Sequence, residues 1–247
     1  YYLIDVMFRS LPLLLLLLLA PLPAQAKLDL STWNKLLNAA VNKGQVDYAQ
    51  WRDNRDFDAL ISQIAATDTG SMNRQKKLAF YINTYNILAD RGILDGRSPD
   101  GVVGRYLYFK RDTYTVAGSQ ISLHQLEHEW LRPLQEPRIH FAIVCASQSC
   151  PILQNEAYTA DRLDEQLDAA ARVFINDPTR NRFDPDANRA ELSSIFKWFK
   201  EDFEQAAGSV QAYLAPLVAN KEVAQRLASG DLTVRYLSYD WNLNGTL

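Results

Sequence analysis

After one solid apolar block near its start, the chain spreads its apolar residues at helical spacing for most of its length. Trp33, Leu36, Leu37, Ala40 and Val41 recur at intervals of three and four and predict a first helix, which Gly44 ends. Phe57, Leu60, Ile61 and Ile64 predict a second. A longer helix is predicted from about Met72 to Arg91, with Leu78, Ile82, Tyr85 and Ala89 on one face. Leu163, Leu167, Ala170, Ala171 and Phe174 mark an amphipathic helix, Phe196, Phe199 and Phe203 another, and Val210 to Val218 a further one.

Strand signals are fewer. Thr113 to Val116 and Gln120-Ile121 flank Ala117-Gly118-Ser119, which reads as a hairpin. Ser122 then caps a helix, with Gln125 completing a capping box and Pro133 and Pro137 closing it off. Ile139 to Val144 is an apolar run bounded by Pro137 and a serine-rich turn, and it predicts a buried strand. Asn181 to Phe183 is expected to pair with Arg189 to Ser193 across an Asp-Pro-Asp turn, and Thr233 to Tyr239 predicts a last strand. Helices dominate and the strands do not alternate regularly with them. The predicted class is α+β: a mostly helical single domain with a few short antiparallel strands.

The solid block belongs to a different kind of element. Leu11 to Ala20 holds seven consecutive leucines, Leu13 to Leu19. At roughly ten residues the run is about half of what spans a bilayer. Met7-Phe8-Arg9 precedes it, Pro21-Leu22-Pro23 breaks it, and Ala24-Gln25-Ala26 is a small-x-small cleavage pattern. Residues 1–26 are therefore expected to be a signal peptide, with translation starting at Met7. Residues 27–247 are expected to form one globular domain, periplasmic or secreted, with no membrane attachment after cleavage. Removing the leader deletes one acid, Asp5, and one base, Arg9, so the net charge of −3 is unchanged. A mildly acidic chain without a basic run gives no electrostatic reason to expect nucleic acid. The expected partner is a small molecule, a peptide or a glycan, and no cofactor is implied.

Candidate chemistry is concentrated in one short stretch. The 3 histidines and 2 cysteines of the chain all fall between His124 and Cys150. Two cysteines in an oxidising compartment ordinarily pair. A bridge needs Cα atoms within about 7 Å, whereas five extended residues span ~16 Å. Pairing Cys145 with Cys150 thus demands a tight turn through Ser147-Gln148-Ser149, and so short a loop adds little stability. The alternative makes Cys145 a nucleophile with a histidine base. His128, on the preceding helix, is one candidate base. His140 is another, although its odd offset along a regular strand turns it away from Cys145.

His124 and His128 stand four apart on a helix, a metal-ligand spacing. However, His124-Gln125-Leu126-Glu127-His128 lacks the glutamate that follows the first histidine in zinc hydrolases, and no metal is assigned. Asn83 and Asn86 interrupt the long helix beside its apolar face. Poor helix formers there are expected to hydrogen-bond a loop or line a site. Asp240, in Tyr239-Asp240-Trp241-Asn242, is a candidate to orient a histidine, or it is a satisfied polar plug.

The string Leu78-Ala79-Phe80-Tyr81-Ile82-Asn83-Thr84-Tyr85-Asn86 resembles a signature of the domain of unknown function 547 family. The resemblance continues through Leu126-Glu127-His128 with Leu131-Arg132, and through Arg138-Ile139-His140-Phe141-Ala142. It extends over Cys145-Ala146-Ser147-Gln148-Ser149-Cys150-Pro151, Ile195-Phe196-Lys197-Trp198-Phe199 and Tyr239 to Asn244. It implies a fold akin to papain-like and transglutaminase-like cysteine enzymes, with Cys145 as the nucleophile. A serine often replaces the second cysteine in plant relatives, which argues against an obligatory bridge. The family usually has no histidine at the position of His124. Tyr81 stands where tryptophan is common, and Ala146 where glycine is common.

Two functional expectations result. One is a cysteine-dependent hydrolase or acyl-transferase, with Cys145 attacking, His128 or His140 as base, and Glu127 or Asp240 orienting it. Asn83, Asn86, Tyr239 and Ser147 would line or brace that site. The other is a non-catalytic periplasmic binding domain in which Cys145 and Cys150 form a disulfide.

Overall fold

The computed structural model describes residues 27–247; the expected leader and its cleavage point lie outside the described residues. The class is α+β, as the periodicity predicts. Helix α1 (Leu30–Ala40) starts on Asp29, whose carboxylate accepts the backbone N–H groups of Ser31 and Thr32. A small hairpin, β1 (Val41–Asn42) with β2 (Gln45–Asp47), follows and turns at Gly44. Helix α2 is Arg55–Ala66, and α3 is Arg74–Leu94. Every residue of α3 from Leu78 to Asp90 is buried, so α3 is the central rod rather than an amphipathic surface helix.

Short helix α4 (Gly101–Tyr106) runs on into a π-helical turn, Leu107–Arg111. The predicted hairpin is present as β3 (Thr113–Val116) and β4 (Ser119–Ser122), turning through Ala117 and Gly118, both at positive φ. The Ser122–Gln125 capping box is also present and opens α5 (Leu123–Gln125). That helix widens into a π-helical segment, Leu126–Leu131, before Pro133. Helix α6 is Leu163–Ile175.

Strands β5 (Arg182–Asp184) and β6 (Arg189–Leu192) pair antiparallel. The C-terminal helices are α7 (Ile195–Trp198), α8 (Lys200–Ala207), α9 (Val210–Leu214) and α10 (Lys221–Ser229). The chain ends with β7 (Thr233–Tyr236), parallel to β6, and β8 (Gly245–Thr246), parallel to β2. The hairpins are thus antiparallel, and the two returns of the C-terminal segment are parallel.

One expected element is replaced. Ile139 to Val144 is not a strand; Pro137–Phe141 forms a 3-10 helix that Glu136 caps through the N–H of Arg138. The physical reason lies in α3. Asn86 donates its side-chain amide to the carbonyl of Ala142 at 3.0 Å and accepts the N–H of Val144 at 2.8 Å. One side chain therefore satisfies the backbone groups that a neighbouring strand would have taken. Asn83 does the same for Tyr158, donating to its carbonyl at 2.8 Å and accepting its N–H at 3.0 Å. Both asparagines brace the loops packed on α3.

Buried apolar residues form two clusters. One gathers α1, α2 and α3 around Trp33, Trp51 and Phe57. The other gathers α6 and the C-terminal helices around Phe141, Phe174, Phe196 and Phe203. Tyr239 packs against both. Among the described residues no helix is long and apolar enough to cross a membrane.

Candidate functional site

A cleft of about 410 Å³ opens where the two clusters meet. Its walls are largely aromatic, with Phe109, Trp198, Phe199, Tyr239 and Trp241, and its polar lining comes from the histidine and cysteine stretch. His124, Glu127, His128, His140, Cys145 and Cys150 all line it. Sequence reasoning grouped these residues by proximity along the chain, and the fold brings them to one cleft.

His140 is the best-held of them. Its ring is buried, stacks on Phe199 with centroids 3.9 Å apart, and bonds Asp202 from Nε2 at 2.7 Å. Asp202 also takes both ends of the Arg132 guanidinium fork, at 2.8 and 2.7 Å. Burial alone would raise the Asp202 carboxyl, but the bonds from Arg132 and His140 outweigh it and hold Asp202 well below the usual range. Burial lowers His140, against the pull of Asp202, so the neutral ring is favoured. An ionised Asp202 takes the Nε2–H, which leaves Nδ1 as the bare acceptor. That Nδ1 is buried and has no hydrogen-bond partner among the described residues; Glu127 Oε1 lies 3.9 Å away.

Glu127 is buried, and its carboxyl makes no hydrogen bond among the described residues. Burial pushes its carboxyl up to about 7, with Arg132 opposing and Asp202 adding to the rise. His128 is half-buried and pairs Nδ1 with Arg132 at 2.8 Å. Burial first, then the neighbouring His124, Arg132 and His140, bring it down to about 4. The His124 and His128 rings lie 4.2 Å apart, but no cluster of three metal-ligating side chains forms among the described residues.

Cys145 and Cys150 are joined by a disulfide, with Cα atoms 6.3 Å apart. The required turn is made at Ala146, which is buried and sits at φ +60°, the left-handed region where a glycine would be unstrained. Among the described residues no histidine nitrogen hydrogen-bonds either sulfur. The groups at Cys145 Sγ are the hydroxyls of Ser147 at 3.1 Å and Tyr239 at 3.4 Å.

The Tyr239–Asn244 motif stitches this loop to the N-terminal hairpin. Gln148 and Ser149 donate their N–H groups to the carbonyls of Asn242 and Asp240, and Asn244 donates to Ala146. The Asn244 carbonyl then takes the N–H of Val46, while its side chain accepts the Tyr48 hydroxyl at 2.7 Å. The Asp240 carboxylate accepts the N–H and the side-chain amide of Asn242 and touches no histidine among the described residues. The acid that bonds His140 is Asp202 instead. Sequence reasoning missed it, although it lies three residues after Phe199 and next to Phe203, at the edge of an apolar helix face.

Residues 69–175 match the model of a family described as Protein of unknown function, DUF547, in line with the resemblance read from the sequence. The segment contains both asparagines of α3, the histidines and the cysteines; the motifs at Ile195–Phe199 and Tyr239–Asn244 lie beyond it. Comparison with curated proteins and with solved structures finds no match.

Proposed function

We propose that this is an exported binding domain whose aromatic cleft takes a hydroxyl-bearing ring compound, of which a sugar unit of a glycan is the type. The observation that carries the reading is His140 Nδ1. A buried acceptor without a partner carries a desolvation penalty of about 1–3 kcal/mol. A ligand hydroxyl donating to it would relieve that penalty. The apolar C–H face of a sugar ring suits the faces of Trp198, Tyr239 and Trp241, whose ring centroids lie 4.5–5.7 Å from one another. The Arg105 guanidinium stacks over Trp241 at 4.9 Å, and the cleft volume is within the range of small-ligand sites.

The test is titration with a set of neutral gluco- and N-acetylhexosaminyl trisaccharides, followed by tryptophan fluorescence. Saturable quenching by at least one member is expected, lost in Trp198→Ala and weakened in His140→Gln. Binding that persists unchanged in both variants, or none across the set, overturns the reading.

A second reading has its own support, because Cys145, His128, His140 and Glu127 share one cleft and Asp202 holds His140. In reduced protein, Cys145 would be the nucleophile of a hydrolase or acyl-transferase with His140 as base. A thiol-reactive electrophile applied at neutral pH after mild reduction tests it. Selective labelling of Cys145 that is lost in His140→Gln favours catalysis, and equal labelling of both cysteines removes it.

A further inference from the structure

The two sulfurs of the bridge sit in unequal surroundings. Cys145 is half-buried, whereas Cys150 is 2% exposed. Cys150 Sγ accepts the backbone N–H of Cys145 at 3.0 Å, which Cys145 Sγ has no counterpart for, and the Tyr239 hydroxyl lies nearer to it, at 3.1 Å, than to Cys145 Sγ, at 3.4 Å; the Ser147 hydroxyl is shared, 3.4 Å from Cys150 Sγ and 3.1 Å from Cys145 Sγ. A disulfide sulfur is a weak acceptor and gains little from them. A thiolate at the same place gains much more, since hydrogen bonds to a charged group are about twice as strong. The donors are also fixed independently of the S–S bond. The loop is held by the Tyr239–Asn244 segment and by Arg180, which donates to the carbonyls of Cys150 at 2.9 Å and Gln148 at 3.0 Å. Burial keeps the Tyr239 phenol above its ordinary value, so it stays a donor when negative charge forms beside it. Finally, the bridge closes a short loop and adds little stability, so the fold has small need of it.

We propose that the Cys145–Cys150 bridge is a thiol–disulfide exchange centre that accepts two electrons from a dithiol. The thiolate of the dithiol attacks Cys145 Sγ from the cleft. A new S–S bond forms there, the Cys145–Cys150 bond breaks, and its electron pair leaves on Cys150 Sγ. The second thiol of the dithiol then attacks its own sulfur in the mixed disulfide and expels Cys145. The dithiol ends as a disulfide, the protein holds two reduced cysteines, and the two protons of the dithiol finish on Cys145 and Cys150. Exchange is fastest when the leaving sulfur is the better-stabilised thiolate, which assigns attack to Cys145 and departure to Cys150. The proposal does not depend on what else the cleft binds.

The experiment uses the folded residue 27–247 chain with its bridge intact. Dithiothreitol and a reduced peptide carrying a cysteine pair are the two electron donors, and opening is followed by maleimide trapping and intact mass. Opening by the small dithiol alone, or by both, supports the proposal and identifies the source; opening by neither in folded protein overturns it. Glutathione, quenched early, is expected to be found on Cys145; recovery on Cys150 overturns the proposal. Tyr239→Phe is expected to slow opening about tenfold and to shift the dithiothreitol equilibrium about tenfold toward the bridge, as loss of one hydrogen bond to a thiolate predicts. Ser147→Ala, which removes a hydroxyl shared between the two sulfurs, is expected to shift both in the same direction by less. Should Tyr239→Phe misfold by circular dichroism, Ser147→Ala alone decides. Unchanged rates and equilibria in the folded variants leave the bridge a simple staple.

Discussion

Glu127 is predicted to make stability depend on pH in a way that a single substitution exposes. Its folded carboxyl is pushed from 4.5 up to about 7 by burial. The native state therefore binds more protons than the unfolded state between about pH 4.5 and 7, and stability falls as pH rises through that window. The shift corresponds to about 3 kcal/mol. His128 acts with the opposite sign. Held down to about 4, it stays neutral where the unfolded imidazole protonates, so its share of stability is lost as pH falls from about 6.5 toward 4. Because His128 is half-buried, solvent screening reduces its part to about 1–2 kcal/mol. His140 is also lowered by burial and acts in the same direction, while Asp202 titrates below this window. The wild-type profile should consequently be shallow. Glu127→Gln mimics the protonated acid, so it should match wild type at pH 4.5 and be more stable by about 3 kcal/mol at pH 7.5. Its own stability should rise with pH, once the histidine contribution is no longer opposed. Urea unfolding followed by circular dichroism from pH 4.5 to 7.5, without reductant, measures both. A difference between the two proteins that is the same at every pH would refute the reasoning.

Three further outcomes are expected in the same assay. Ala146→Gly should stabilise by about 1 kcal/mol, because it relieves a left-handed backbone at φ +60°; destabilisation would mean that the Ala146 methyl packs for more than its strain costs. Asn86→Ala should cost about 3 kcal/mol by leaving the Ala142 carbonyl and the Val144 N–H buried and unpaired, and a cost under about 1 kcal/mol would mean that water replaces the amide. Asp202→Ala should cost about 2–3 kcal/mol by stranding Arg132 and His140 in a partly buried site, and a variant as stable as wild type would show that the site collapses around them.

The helices and the hairpin were legible because their signals are local. Apolar spacing in α2 and α6, the Ser122–Gln125 box and the Ala117-Gly118 turn each act within a few residues. The Ile139–Val144 segment was not legible, since a run of apolar residues is compatible with any buried backbone. What decides its shape is Asn86, an amide more than fifty residues earlier that takes the place of a strand partner. The same contrast runs through the site. Its cysteines and histidines stand out in composition, and the fold brings them to a shared cleft. The acid that bonds His140 does not stand out. The partner of His140 is supplied by α8, 62 residues further along the chain, whereas the candidate Asp240 spends its carboxylate on its own turn. A histidine's role is set by whichever acid the packing of two clusters presses against it, and sequence distance carries no information about that. The unequal surroundings of Cys145 and Cys150 follow from the same cause. Only the return of the C-terminal chain brings the Tyr239 hydroxyl to the buried sulfur, so the difference between a staple and a reactive bridge is written nearly ninety residues from the cysteines themselves.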